Sequence, residues 1–165
     1  MEIRVEIQGV TPLLMSKFTD AAALAIMSGT SQVLVGDKKT PRVQAEASLY
    51  TDSDGKPIFP GPNIFRAIID AGVFHKVGKS KVTTMKSSLV PAGITVIELE
   101  CPILNPEGGA PKWEVDSRSA VIPATGGRIM AHRPRFDRWR VKFTLDVDDA
   151  MFSEGMVRLL VDDAG

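Results

Sequence analysis

The chain has 165 residues, 44% of them hydrophobic and 24% charged, which predicts a globular domain with a real core and excludes an intrinsically disordered protein. Its 20 basic and 20 acidic side chains give a formal net charge of zero, and its one cysteine and two histidines argue against a disulfide or a zinc site. We therefore expect no metal and no cofactor. The longest apolar run, 21–27, is shorter than the roughly 20 residues of a membrane span, and no secretory signal is visible. This predicts a cytoplasmic protein with no membrane partner.

The hydrophobic periodicity and the Gly and Pro punctuation predict a mixed order of elements. In chain order these are a strand over 3–8, a helix over 19–29, a polar excursion over 29–45, two short strands within 49–61 around an Asp54-Gly55 turn, a helix over 62–72, a strand within 94–100, a loop over 104–112, a hairpin over 118–134, a strand over 138–147 and a helix over 153–165. This order predicts an α+β fold, a ferredoxin-like antiparallel sheet with helices on one face. It is read as a single domain, 1–165, with insertions at about 29–60 and 104–135.

Two segments concentrate positive charge on the neutral chain. The lysine segment, residues 74–88, has four lysines and a histidine but no acid; the arginine segment, residues 128–142, has five arginines, a lysine and a histidine against one aspartate. Residues 144–165 are mainly acidic. Such segregation can create a local positive field on a neutral molecule. The alternative, that the segments lie on different faces and offset one another, is equally open at this point.

The strand within the arginine segment carries the clearest pattern. Apolar residues from Trp139 onward alternate with Arg138, Arg140 and Lys142, so the cations share the open face of a sheet. Alternate side chains in a strand lie about 6.6 Å apart, close to the phosphate spacing of an extended single strand. On the functional interpretation the cations contact phosphates and bases stack on Phe136 or on guanidinium planes. On the structural interpretation the cations are merely solvated, and Phe136 and Trp139 belong to the core.

The predicted nucleic-acid contacts are the basic side chains of both segments: Lys76, Lys79, Lys81, Lys86, Arg128, His132, Arg133, Arg135, Arg138, Arg140 and Lys142. The lysine segment has a plainer interpretation as an exposed linker. Met130 is either an apolar wedge on the hairpin or a core residue. His75 and His132 are candidate general acids or bases, but neither has a local partner that would tune it, so we predict no catalysis.

Two motifs resemble the RAMP superfamily, the RNA-binding proteins of CRISPR effector complexes. Residues 9–15, GVTPLLM, resemble that family's G-x-T-P-L start after the first strand, and residues 54–72, DGKPIFPGPNIFRAIIDAG, resemble its segment in which a Pro-Gly turn opens a helix. The resemblance implies an RRM-related, modified ferredoxin-like fold and a backbone-type subunit that lines guide RNA. The first helical turn has Pro62, Asn63 and Phe65 where family members often carry serines and a basic residue. Many members also have a glycine-rich loop and a final strand after the second helix, and the resemblance implies that this strand is missing here.

The sequence thus predicts a protein that binds single-stranded nucleic acid, RNA in preference to DNA, as a homo-oligomer or within a multi-subunit complex. A rival from another class is a structural subunit of phage-like origin that self-associates through basic and acidic faces. A metal-independent ribonuclease that uses His132 is a third, weaker candidate.

Overall fold

The structure is a computed structural model that describes residues 1–18, 24, 27–28, 40–121 and 126–165. It confirms the α+β class, with antiparallel sheets and, within those ranges, four helices. The chain divides into two compact units: unit 1 comprises Met1–Ile7, Ile58–Ile103 and Val141–Gly165, and unit 2 comprises Gln8–Pro57 and Leu104–Arg140. Unit 2 includes most of the two stretches that the sequence predicts as insertions. No helix in the described ranges is long and apolar enough to cross a membrane.

The strands are β1 (Glu2–Gln8), β2 (Leu13–Leu14), β3 (Ile58–Pro60), β4 (Lys76–Val77), β5 (Ser80–Lys81), β6 (Ile94–Val96), β7 (Glu100–Leu104), β8 (Glu114–Val121), β9 (Arg128–Phe136) and β10 (Arg140–Val147). The helices are α1 (Pro41–Ala47), α2 (Gly61–Ala71), α3 (Val90–Gly93) and α4 (Glu154–Ala164), and a 3-10 turn over Gly72–Phe74 follows α2. One sheet has the order β1-β10-β7-β3, with β6 also paired to β10; a second has the order β2-β9-β8; β4 and β5 form the third.

The core of unit 1 follows from the two periodicities that the sequence shows. β10 alternates as predicted, with the buried side chains Val141, Phe143, Leu145 and Val147. α2 buries Ile64 and Ile68 and packs against α4, whose buried side chains are Val157 and Leu160. Ser153 caps α4 as its side chain accepts a hydrogen bond from the Met156 amide. The predicted helices over 62–72 and 153–165 are therefore confirmed.

A bulge interrupts the strand that the sequence predicts within 94–100, so that β6 and β7 are separate. The Glu98 carboxylate accepts hydrogen bonds from the Thr144 amide at 2.6 Å and from the Thr144 hydroxyl at 2.8 Å. Burial raises the pKa of Glu98, but these hydrogen bonds, with one from its own amide, outweigh that effect and leave the pKa below its ordinary value. The Gly61 amide donates to the Leu99 carbonyl at 2.9 Å, and a Cβ on Gly61 would lie 2.1 Å from the Glu98 carbonyl oxygen. Only glycine fits there, so the Pro-Gly turn starts α2 directly beside the bulge.

Unit 2 is built on the β8-β9 hairpin, which confirms the hairpin that the sequence predicts over 118–134. The two strands pair in register from Glu114 opposite Arg135 to Val121 opposite Arg128, and α1 packs against both. The predicted polar excursion is wrong for residues 41–45, because Thr40 caps α1 through its hydroxyl and Pro41 opens the first turn.

Two other predictions in this part of the chain have mixed outcomes. The predicted helix over 19–29 lies outside the described residues except at 24 and 27–28. The Asp54-Gly55 turn is confirmed, with Gly55 at a φ of 78°. Of the two strands predicted around it, only β3 forms, and a single bridge joins Thr51 to Pro57.

Candidate nucleic-acid interface

The predicted cations are divided between the two units. Unit 1 contains Lys76, Lys79, Lys81, Lys86 and Lys142, and unit 2 contains Arg128, His132, Arg133, Arg135, Arg138 and Arg140. Whether such a cation already has an acidic partner decides how readily a phosphate can reach it, because a carboxylate of the chain occupies the same donors.

Several cations of the arginine segment already contact carboxylates. The Arg135 Nε donates to Asp137 Oδ1 at 2.7 Å, and Arg138 forms an ion pair with Glu107. In unit 1, Lys142 Nζ lies 3.1 Å from Glu6 Oε2. A phosphate would have to displace these carboxylates. Exposed ion pairs contribute at most about 1 kcal/mol, so displacement costs little, but it subtracts from any affinity that the arginine segment provides.

The charged side chains around Arg138 also disfavour the binding of an anion. A cleft of about 430 Å³ in unit 2 is lined by two carboxylates, Glu107 and Asp137, against the single guanidinium of Arg138. Its balance of charge is negative. The predicted strand over 138–147 is wrong at its first two residues, because β10 begins at Arg140 and Arg138 lies in the bend before it. Arg138 is accessible, with its side chain 67% exposed, but its charge is compensated by Glu107 within its own unit.

The hairpin of unit 2 presents its remaining cations on different faces. Arg128 and Arg133 are exposed and make no ion pair with a carboxylate of the described residues. They are separated by an odd number of positions along β9, so they point to opposite faces of the ribbon. Phe136 is fully buried, so the predicted stacking of bases on its ring is wrong. Met130 is 55% exposed and does not fill the core.

Both histidines have partners that sequence reasoning missed. His75 Nε2 lies 2.7 Å from Asp163 Oδ2, a residue 88 positions away, and His132 Nδ1 lies 2.7 Å from the Ser117 hydroxyl on the neighbouring strand. The register of β8 on β9 places Ser117 opposite His132. No local signal in the sequence could have identified the Asp163 contact.

The lysine hairpin, which we define as residues 76–81 of unit 1, contrasts with the arginine segment. β4 and β5 pair so that Lys76 lies directly opposite Lys81, and the two-residue turn between them has Gly78 at a φ of 60°. Glycine at the first turn position is typical of a tight hairpin. Lys76, Lys79 and Lys81 are exposed, and none makes an ion pair within the part of the chain that the structure describes.

Buried backbone contacts anchor the lysine hairpin. The Val82 amide donates to the His75 carbonyl at 3.0 Å, and the Thr83 amide donates to the Gly72 carbonyl at 3.0 Å. Val82 and Thr83 are both buried. The segment is therefore a folded hairpin and not an unstructured linker.

A second tight turn follows the lysine hairpin. The Thr84 hydroxyl accepts hydrogen bonds from the Lys86 amide at 3.3 Å and the Ser87 amide at 3.1 Å. Met85 and Lys86 lie at the corner of this turn, both exposed. Lys86, like the three lysines of the hairpin, makes no ion pair with a described carboxylate.

An exposed aromatic ring beside the lysine hairpin is a further feature that sequence reasoning missed. Phe74 ends the 3-10 turn and is 78% exposed. The sequence signal that could have identified it is its position directly before His75, where an apolar stretch becomes basic.

Among the described residues, no three His, Cys, Asp or Glu side chains are grouped so that they could hold a metal ion. No protein-family model matches the chain, and no curated protein matches it.

Proposed function

We propose that the protein is a non-catalytic binder of single-stranded nucleic acid and that the lysine hairpin makes the main phosphate contacts. The observation that carries this proposal is the pair Lys76 and Lys81, which lie opposite each other without a carboxylate partner in the described chain. Like charges directly opposite in an antiparallel pair destabilise it, and a bound anion between them relieves that repulsion. With Lys79 at the turn and Lys86 at the next turn, four such cations follow within eleven residues.

The chemistry of these side chains indicates the kind of polyanion. Lysine ammonium groups act as point charges without the planar fork by which arginine recognises particular geometries. Contacts of this kind hold a phosphate backbone and carry no sequence information. We therefore propose sequence-tolerant binding. RNA is the proposed nucleic acid because of the RAMP resemblance of residues 9–15 and 54–72.

We also propose that unit 1 is a variant of the ferredoxin-like fold. Its elements follow in the order β1, α2, β6 with β7, β10 and α4, and β10 lies between β1 and β7 in the sheet. An antiparallel strand inserted between the two strands of a β-α-β unit is the arrangement of ferredoxin-like proteins. β3 is an additional strand beside β7, and β1 is the opposite edge, where a fourth strand pairs in the complete arrangement.

The test of binding compares two double variants with the same change in net charge. Lys76→Gln/Lys81→Gln removes the opposed pair, and Lys56→Gln/Lys112→Gln removes two exposed lysines of unit 2. Fluorescence anisotropy with a labelled oligo(U) measures Kd at several salt concentrations. We expect the hairpin variant to bind on the order of 10-fold more weakly at low salt and to flatten the log-log salt slope by about 1.4, at ~0.7 per contact. Equal losses in both variants would leave only non-specific attraction, and no loss in the hairpin variant would remove the hairpin from the interface.

Self-association is the second candidate, favoured by exposed acids in unit 1. Asp149 and Asp162 are exposed and make no ion pair with described residues, so they could receive the lysine hairpin of another copy. Light scattering at low and high salt without nucleic acid separates the two candidates. Oligomers that dissociate with salt and are lost in Lys76→Gln/Lys81→Gln favour assembly, whereas a monomer that binds oligo(U) favours the primary proposal.

A further inference from the structure

The ring of Phe74 lies on the outward side of the chain next to the lysine hairpin. The exposure alternates along this stretch: Phe74 is exposed, His75 half-buried, Lys76 exposed and Val77 half-buried. His75 is held inward by its contact with Asp163 and by its carbonyl, which accepts from the Val82 amide. Phe74 and Lys76 therefore flank an anchored residue and both face solvent.

The spacing in this corner fits one nucleotide. His75 is extended, with φ −112° and ψ 159°, so Phe74 and Lys76 on either side of it lie about 6.6 Å apart. Directly opposed residues of an antiparallel pair, here Lys76 and Lys81, lie about 5 Å apart. Phe74, Lys76 and Lys81 thus fall within one nucleotide's reach of one another. A single exposed aromatic is ordinary on a protein surface. Here the ring lies beside a lysine pair that has no carboxylate partner among the described residues. Proteins bind unpaired bases by this combination, because the ring offers a stacking surface and the cations hold the phosphates.

We infer that Phe74, Lys76 and Lys81 form a nucleotide subsite in which an unpaired base stacks on the Phe74 ring. This inference rests on the proposed function and adds the class of ligand: a strand with accessible bases, as opposed to a duplex or a base-free polyanion. In a duplex both faces of each internal base are covered by its neighbours, so the ring has no surface to stack on. The lysines, by contrast, interact with any chain of phosphates.

The experiment separates the ring from the charges with two ligands. Labelled oligo(U) and an abasic sugar-phosphate chain of equal length are titrated with the wild type, Phe74→Leu and Phe74→Trp. Phe18→Leu is the matched control, since Phe18 is also an exposed aromatic, at 60%. We expect Phe74→Leu to weaken oligo(U) binding by about 5- to 100-fold, the loss of one stacked base, and to leave the abasic chain unaffected. Phe74→Trp retains oligo(U) binding, because the indole ring also stacks on a base, and Phe18→Leu changes the binding of neither ligand.

The outcomes distinguish a failure of the stacking subsite from a failure of the proposed function. If Lys76→Gln/Lys81→Gln weakens both ligands but Phe74→Leu changes neither, the lysine hairpin binds phosphates and the stacking subsite is wrong. Equal weakening of both ligands by Phe74→Leu also overturns the subsite, because the ring would then act on the hairpin itself. If the wild type binds neither ligand, the proposed function fails and the subsite fails with it. Thermal melting of each variant verifies that the exposed substitutions leave the fold intact.

Discussion

Glu98 shows how one side chain determines the path of a strand. Its carboxylate receives both the amide and the hydroxyl of Thr144, and the chain bulges out between β6 and β7 to place it there. Burial, and to a smaller extent the negative charge of Glu98, raises the pKa of Cys101 to about 11. The Cys101 thiol is fully buried, so it stays protonated and structural.

The substitution Glu98→Gln should destabilise unit 1. A neutral amide loses the charge-assisted bonds and keeps only one acceptor oxygen for the two Thr144 donors, so we expect the free energy of unfolding to fall by about 1–3 kcal/mol in urea denaturation at neutral pH. The folded pKa of Glu98 lies below its ordinary value of 4.5, so its contribution is present above that value and is lost as pH falls through the folded pKa. The difference between wild type and variant should therefore shrink in acid. A difference that persists unchanged into acid would show that the amide disturbs packing and that the charge contributes nothing.

At the scale of elements, the two opposed lysines of the lysine hairpin provide positive charge but destabilise the β4-β5 pair. Replacing Lys81 with glutamate puts opposite charges across the β4-β5 pair, where Lys76 now faces a like charge. We expect Lys81→Glu to raise the free energy of unfolding by about 0.2–1 kcal/mol and at the same time to weaken oligo(U) binding. Denaturation and anisotropy on the same sample measure the two effects. A loss of stability would contradict the repulsion between the opposed lysines. Tighter oligo(U) binding would contradict the phosphate contact that we assign to Lys81.

The elements also show what periodicity can and cannot predict. The alternation in β1 and β10 and the apolar spacing in α2 are visible in the sequence because each element turns one apolar side away from solvent, half-buried in β1 and buried in β10 and α2. α1 is not visible, since its seven residues bury only Ala45 and depend on the Thr40 cap. The stretch of residues 94–100 looks like one β-branched strand, and its interruption depends on a contact with Thr144 that lies far along the chain.

The candidate site was only partly predictable, because it too depends on contacts between residues that lie far apart in the sequence. Clusters of lysine and arginine are local in the sequence, but their acidic partners are not. Arg138 meets Glu107 and Lys142 meets Glu6 only because strands and loops bring them together. The sequence therefore favours the arginine segment, whose alternation is cleaner, whereas the lysines of the lysine hairpin have no carboxylate partner among the residues that the structure describes.

At the scale of the whole molecule, the salt dependence of binding counts the phosphates that the protein neutralises. If only Lys76, Lys79, Lys81 and Lys86 contact phosphates, the log-log salt slope for oligo(U) should be about −2.8, at ~0.7 per contact. Full participation of the arginine segment as well would make the slope more than twice as steep. We therefore expect a slope near the smaller value and little change in it for Arg138→Ala/Arg140→Ala. A steep slope that this double variant flattens would return the main interface to the arginine segment, because carboxylates that a phosphate displaces readily, such as Glu107 on Arg138, do not prevent binding.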